Sequence, residues 1–360
     1  MTENDFIPKQ YSEEIKHGEV SWSAPSNIAL IKYWGKLENQ IPANPSLSFT
    51  LNNCKTITKL TYSKQEKPTS EFQVDVFFEN EKNESFRPKI LQFFKRIEKY
   101  LPFLRDYKFS IETANTFPHS SGIASSASGM AALSLCLMEV EKMLNPEMTL
   151  KHFHQKASFL ARLGSGSACR SIKGEIVVWG KHEQIRESSD LYGTAYSSQV
   201  HENFKNFQDT ILLIDKGEKQ VSSSVGHNLM NNHPFAQQRF AQAHENLRKL
   251  KVVLENGDLK SFINIVESEA LTLHAMMMTS NPYFLLMKPN TLEVINKVFE
   301  FRKSRGLHLC FTLDAGANVH LLYPENEKQQ IEEFIEAELV AYCQNRHYIR
   351  DGIGSGAKKL

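Results

Sequence analysis

Apolar and polar residues alternate along the first third of the chain and recur at helical spacing through the last half. Residues 28–31 form a short uninterrupted apolar run of the buried-strand type. Across 47–64 apolar and polar positions alternate, and Thr56, Ile57, Thr58, Leu60 and Tyr62 add the β-branched and aromatic side chains that predict a strand. Residues 65–70 read as a polar turn and 72–78 as the returning strand. A helix over 88–100, a strand over 107–113 and a strongly apolar helix over 130–144 follow, then a helix over 150–163 stopped by Gly164. Farther on, helices are expected over 234–254, 259–278 and 291–304, the last capped by Asn290 with Glu293 reaching back. Strands at 307–313 and 319–323 and a helix over 328–342 complete the pattern, and 351–360 reads as a frayed end. Met276, Met277 and Met278 close the second of these helices as core filler.

Strands early and helices late, without a regular βαβ rhythm, predict an α+β fold in two lobes. Gly, Ser and His accumulate between 180 and 206, so an N-terminal lobe over 1–200 and a C-terminal lobe over 201–360 are expected.

Charge narrows the function. The 42 basic and 41 acidic side chains are interspersed and leave a formal net charge of +1, which argues against a protein that coats nucleic acid or an anionic membrane. No apolar run is long enough to span a bilayer, and the acidic start of the chain does not read as a signal peptide. The five cysteines are scattered, with no C-x-x-C pair and no metal-ligand spacing. Free thiols in a reducing compartment, and hence a cytoplasmic protein, are the expectation.

Four segments carry chemistry that core packing does not explain. Residues 27–36, NIALIKYWGK, place Asn27, Lys32, Tyr33, Trp34 and Lys36 at the end of the buried apolar run. Two cations and two aromatics with polar tips suit an anionic ligand in a cleft. Residues 118–129, PHSSGIASSASG, stand directly before the apolar helix. Small residues such as Gly122 let the backbone approach a ligand, the helix start attracts phosphate, and Ser125, Ser126 and Ser128 add hydroxyls or a Mg²⁺ ligand. Neither a Walker loop nor a Rossmann fingerprint is present. Residues 164–171, GSGSACRS, bring Ser165, Gly166, Ser167 and Arg170 to the end of a helix, a set able to clamp a phosphate or carboxylate. In 311–318, FTLDAGAN, Asp314 ends an apolar strand; it is either a turn residue bonding its own backbone or a positioned general base.

In this order the four segments resemble the GHMP kinase superfamily, and within it the mevalonate diphosphate decarboxylases. The resemblance runs from about Ser21 to Tyr323. Its most specific parts are residues 24–36, similar to A-P-x-N-I-A-x-I-K-Y-W-G-K, and 164–171, similar to G-S-G-S-A-C-R-S. It implies a ribosomal-S5-like N-terminal lobe, a ferredoxin-like C-terminal lobe and a site between them. It also implies an ATP- and Mg²⁺-dependent enzyme that phosphorylates the C3 hydroxyl of mevalonate 5-diphosphate and then loses phosphate and CO₂, giving isopentenyl diphosphate. By that resemblance Asp314 takes the hydroxyl proton, Arg170 orients the substrate near its carboxylate and Asn27 orders the same network. Lys32, Gly122, Ser125, Ser126 and Ser128 serve ATP, with Ser126 a Mg²⁺ ligand. Tyr33, Lys36, Ser165, Gly166 and Ser167 hold the substrate diphosphate. The partner is a small molecule, and a homodimer is an expectation of the resemblance alone.

Residues 221–230 depart from the pattern. There the family commonly supplies another Arg for the diphosphate, and this chain offers only His227 as a cation. A related mevalonate or phosphomevalonate 3-kinase, or a phosphomevalonate decarboxylase, therefore stays open. A non-catalytic binding module on the same fold is the alternative of another class, and Asp314 in place speaks against it.

Overall fold

The apolar run and the alternating stretch after it become two long antiparallel strands, β1 (His17–Ile31) and β2 (Ser46–Lys64), in register with Val20 opposite Leu60 and Ile28 opposite Phe49. The computed structural model describes residues 1–118, 123–216 and 223–360, without the side chains of 223 and 224. Among them the chain continues through β3 (Gln73–Phe78), β4 (Glu81–Lys82), α1 (Arg87–Ile97), β5 (Tyr107–Asn115), α2 (Ser125–Leu144) and α3 (Leu150–Gly164). A 3₁₀ turn (Gly166–Ser171), β6 (Ile176–Trp179), β7 (Thr194–Ala195) and β8 (Gln208–Leu212) lead into α4 (Ser223–Asn228), α5 (Ala236–Asn256), α6 (Leu259–Met278) and α7 (Pro289–Arg305). β9 (Cys310–Thr312), β10 (Val319–Tyr323), α8 (Lys328–Phe334), β11 (Tyr348–Gly352) and β12 (Lys358–Lys359) close the chain.

The first sheet runs β12-β1-β2-β5-β3-β4, with β6 pairing to β2 and β7 to β6; the second runs β11-β8-β10-β9. α2 is buried nearly all round, as its composition requires, and Ala127, Ala131 and Ala132 bring it close to its neighbours. A core of β1, β2, β3 and β5 side chains with α1, α2 and α3 fills the N-terminal part. A second core joins Ile28, Leu47 and Phe49 to Phe207, Ile211, Leu247, Phe262 and Leu322, so residues from both sheets share one apolar interior. The α+β reading therefore holds.

Local expectations needed six corrections. The strand at 73–78 does not return along β2; β5 lies between them and pairs parallel to β3, with α1 as the crossover. α7 starts at Pro289 rather than after Asn290: proline's fixed φ suits the first helical position, the Thr291 hydroxyl accepts the Lys288 N–H at 3.1 Å, and Asn290 bonds the Tyr342 carbonyl instead. The last helix stays α only to Phe334 and then loosens into a π turn (Ile335–Leu339) and a 3₁₀ turn (Val340–Tyr342). β9 keeps only Cys310–Thr312 of its expected length. Met276 and Met277 are core, whereas Met278 is exposed.

The sixth correction concerns residues 351–360, which are not frayed. β11 pairs with β8 in the second sheet and β12 with β1 in the first, with Trp22 opposite Lys359. Between them Ile353 bridges to Leu51 and Gly356 to Lys173. Gly354 passes so close to the Leu51 carbonyl that a Cβ would sit 2.2 Å from it, which requires glycine. Asp351 fastens the crossing: its carboxylate accepts the N–H groups of Asn52, Asn53 and Cys54 at 2.7–2.8 Å. Asp351→Ala strips three backbone donors of their acceptor and should lower unfolding stability by about 2–4 kcal/mol in urea titration. A loss under about 0.5 kcal/mol would show that the clasp contributes nothing.

Candidate active site

β1 ends at Ile31, and the next residue carries its side chain into a cleft of about 260 Å³ between the two sheets. Lys32 is 1% exposed, and its Nζ lies 3.2 Å from Oδ1 of Asp314, which follows β9 and is about one-third exposed. Burial pushes the Lys32 pKa down, while the carboxylates of Asp314 and Glu269 pull it back up. Asp314 is thus a pairing carboxylate at the cleft and not merely a residue bonding its own turn.

On another wall the 3₁₀ turn after α3 carries Arg170, 3% exposed. Its Nε donates to Asn27 Oδ1 at 3.3 Å and its NH1 to the Ser46 hydroxyl, and its guanidinium lies 5.8 Å from the Trp179 ring. Among the described residues it makes no ion pair, so a buried cation faces the cleft with neutral hydrogen-bond partners only. Such a charge is costly without an anion. Asn27 lies behind this wall: its Nδ2 donates to the Ser167 carbonyl at 3.2 Å and to the Ser171 hydroxyl at 2.8 Å. It braces Arg170 and does not line the cleft.

Tyr33 packs edge-on to Trp179 at 4.6 Å, and its buried hydroxyl has no hydrogen-bond partner among the described residues. A Cβ on Gly166 would come within 3.0 Å of that hydroxyl, so the glycine makes room for it. An orphaned buried hydroxyl at a cleft wall is a donor awaiting a ligand. Lys36, Ser165, Gly166 and Ser167 line the same cleft, as does Ser126, whose hydroxyl is 3.3 Å from that of Ser165. Ser126 is exposed in the first turn of α2, which begins after Ala124 in a left-handed conformation at φ 49°.

The other members of the serine loop separate. Ser128 is fully buried and bonds Thr56 at 2.6 Å, so it secures α2 to the sheet and is turned away from the cleft. Ser125 is half-buried and does not line the cleft; its carbonyl accepts from the Ser128 hydroxyl. Gly122 lies outside the described residues.

His227 corrects an expectation. Its ring lies 4.1 Å from that of Tyr33 and 4.7 Å from that of Trp34, and its Nδ1 accepts the Gly35 N–H at 3.1 Å. Burial lowers its pKa to about 3. A ring held neutral and accepting through Nδ1 is a packing element, not the missing cation.

Several cleft residues escaped the sequence. Lys89 on α1, Leu273 on α6 and Ala315 line it. Behind it Glu269, Arg239 and His274 bond the main chain at Lys32 and Asp314. The available signal was an acid and a histidine set in the apolar stripe of α6, positions that a buried helix face does not tolerate without partners.

Two family descriptions match the chain: a diphosphomevalonate decarboxylase-like N-terminal domain over residues 24–191 and a mevalonate 5-diphosphate decarboxylase C-terminal domain over 210–353. The diphosphomevalonate decarboxylase of Saccharomyces cerevisiae is 28% identical over 335 residues, covering 88% of this chain and 80% of its own. The crystal structure of mevalonate diphosphate decarboxylase from Staphylococcus aureus has a TM-score of 0.79 at 30% identity, covering 96% of this chain and 98% of the other. A solved complex described as MDDEF with MVAPP, AMPPCP and magnesium gives a TM-score of 0.80 at 26% identity over 96% of this chain and 99% of that one. The fold is accordingly the two-lobe GHMP kinase fold of these proteins. The chain belongs to the mevalonate diphosphate decarboxylase family.

Proposed function

We propose that this chain binds ATP and mevalonate 5-diphosphate in the cleft and converts the substrate to isopentenyl diphosphate, ADP, phosphate and CO₂. The observation that carries the reading is one cleft holding both a Lys32–Asp314 pair at 3.2 Å and the buried Arg170 cation. A carboxylate beside an ammonium suits proton removal from an alcohol, and a buried guanidinium suits a carboxylate.

Asp314 accepts the proton of the C3 hydroxyl as its oxygen bonds the γ-phosphorus of ATP and the bond to the bridging oxygen breaks toward ADP. Lys32 steadies charge on the phosphoryl oxygens, and positioning supplies most of the acceleration. The C3–O bond of the phosphorylated intermediate then breaks with its electron pair leaving on phosphate. The bond to the carboxyl carbon supplies the electrons of the new C=C bond, and CO₂ departs. Arg170 holds the carboxylate until that step, braced by Asn27. Tyr33, Lys36, Ser165, Gly166 and Ser167 receive the diphosphate.

Among the described residues no group of three or more His, Cys, Asp or Glu side chains could cage a metal ion. The donors present fit a Mg²⁺ that arrives on nucleotide phosphates, with the Ser126 hydroxyl as protein ligand. When bound, Mg²⁺ neutralises charge on the β- and γ-phosphates. The division of labour follows the chain: residues 1–200 hold nucleotide and diphosphate, and 201–360 bring Asp314. No helix among the described residues is long and apolar enough to cross a membrane, which fits a cytoplasmic enzyme acting on small molecules.

The test follows ADP and CO₂ together from mevalonate, its 5-phosphate and its 5-diphosphate with ATP and Mg²⁺. Equal ADP and CO₂ from the diphosphate alone is the expected result. ADP without CO₂ would make the chain a 3-kinase, and turnover of the monophosphate alone would make it a phosphomevalonate decarboxylase.

A further inference from the structure

Helix α6 carries two buried polar side chains outside the chemistry just described. Glu269 is 0% exposed. Its Oε2 accepts the Lys32 N–H at 2.8 Å, and the same carboxylate takes Arg239 through both oxygens and Asn246 Nδ2 at 2.7 Å. Arg239, on α5, turns its NH2 to the Lys32 carbonyl at 3.3 Å, where Asn44 Nδ2 also donates at 2.9 Å. Both peptide groups of Lys32 are therefore held, and the N–H is held by α6. Five residues along the helix stands His274, 1% exposed, with Nε2 3.1 Å from the Asp314 carbonyl oxygen. A carbonyl only accepts, so Nε2 is the protonated nitrogen. Leu273, between the two, lines the cleft itself.

A buried ion pair seldom adds net stability over a hydrophobic replacement of the same shape. Its value here is geometric. Lys32 follows a strand of the first sheet and Asp314 a strand of the second, and only their side-chain tips meet. A straight helix separates residues five apart by a fixed axial rise of about 7.5 Å. Two hydrogen bonds from one such rod fix the main chain under both partners at once.

We propose that Glu269 and His274 are positioning residues that set the Lys32–Asp314 contact from a single helix. The inference rests on the roles given above to Lys32 and Asp314. It makes α6 the ruler of the reacting pair and Arg239 the counter-charge that keeps Glu269 in place.

The test compares His274→Phe, His274→Gln and Glu269→Gln with the parent under the ADP and CO₂ assay, and Asp314→Asn is measured beside them. Phenylalanine keeps the ring volume and removes the donor, so kcat should fall about 10–100-fold with both KM values within about threefold. Glutamine can place an N–H near the position of Nε2 and should recover most of the loss. Glu269→Gln keeps an acceptor for the Lys32 N–H but removes a charge that favours the protonated lysine. Lys32 also meets Asp314, which favours protonation, and Arg170, which opposes it, with Asp209 and His274 farther off. Loss of Glu269 therefore moves the basic limb of kcat to lower pH.

Full kcat in His274→Phe, a loss confined to KM, or no recovery in a folded His274→Gln would each overturn the inference. Should His274→Phe fail to fold, an unmoved basic limb in Glu269→Gln would overturn it and a shift to lower pH would support it. Parental turnover in Asp314→Asn would instead sink the catalytic assignment. An inactive Asp314→Asn with a fully active His274→Phe would sink the positioning role alone.

Discussion

Asp314→Asn should slow ADP formation by about 10³-fold or more while nucleotide affinity stays within about threefold. Asparagine keeps the shape and cannot take a proton. It also leaves Lys32 buried beside a neutral amide, and the lysine then loses the partner that most strongly opposes its desolvation. Both changes act on the phosphoryl-transfer step and neither touches the serine loop. Single-turnover release of ADP, with binding of a fluorescent ATP analogue measured separately, checks the two halves. A rate within tenfold of the parent would remove Asp314 from proton transfer.

Arg170→Gln should reduce kcat/KM for the diphosphate by about 10²–10³-fold, the cost of truncating a buried hydrogen-bonded charge. The guanidinium has neutral hydrogen-bond partners, Asn27 and Ser46, and lies over the Trp179 ring. Its charge is thus available to a substrate carboxylate, since no carboxylate among the described residues pairs with it. Glutamine can retain one bond to Asn27 and loses the fork. Phosphorylation and decarboxylation separate in this variant: ADP should outrun CO₂ if the carboxylate is no longer held as phosphate leaves. An unchanged kcat/KM would show that the carboxylate binds elsewhere.

These three residues were legible as cleft residues because each breaks a local rule. Lys32 follows an apolar run that packing alone would continue, Arg170 interrupts a stretch of small residues, and Asp314 ends a buried strand. Polar groups in such places need a reason, and a cleft supplies one. Whole elements were readable for the same cause in reverse. α6 spans Leu259–Met278 as its spacing requires, because nothing inside breaks it and Asp258 caps it by accepting the Ser261 N–H at 3.0 Å.

What stayed hidden has its partner far away in the chain. Glu269 meets the Lys32 N–H across 237 residues, and no period or motif records that distance. Ser128 looked like Ser126 in the sequence, but helical geometry turns one hydroxyl to Thr56 and leaves the other at the cleft. His227 stood where a cation was wanted; only its burial between two aromatic rings shows it to be neutral. The strand at 73–78 was misplaced because parallel pairing through α1 outcompetes the nearer hairpin once β5 is available.

The crossing of the final segment also orders events on the ribosome. β1 is synthesised more than 300 residues before β12, the strand that covers its outer edge. Until residues 358–359 emerge, the outer edge of β1 near Trp22 and Ser23 lacks its pairing strand, and open strand edges recruit other chains. A nascent chain therefore keeps this edge open until after β11 has been made. Translation stalled between β11 and β12 would leave a chain that carries Lys32, Arg170 and Asp314 with its first sheet still unfinished.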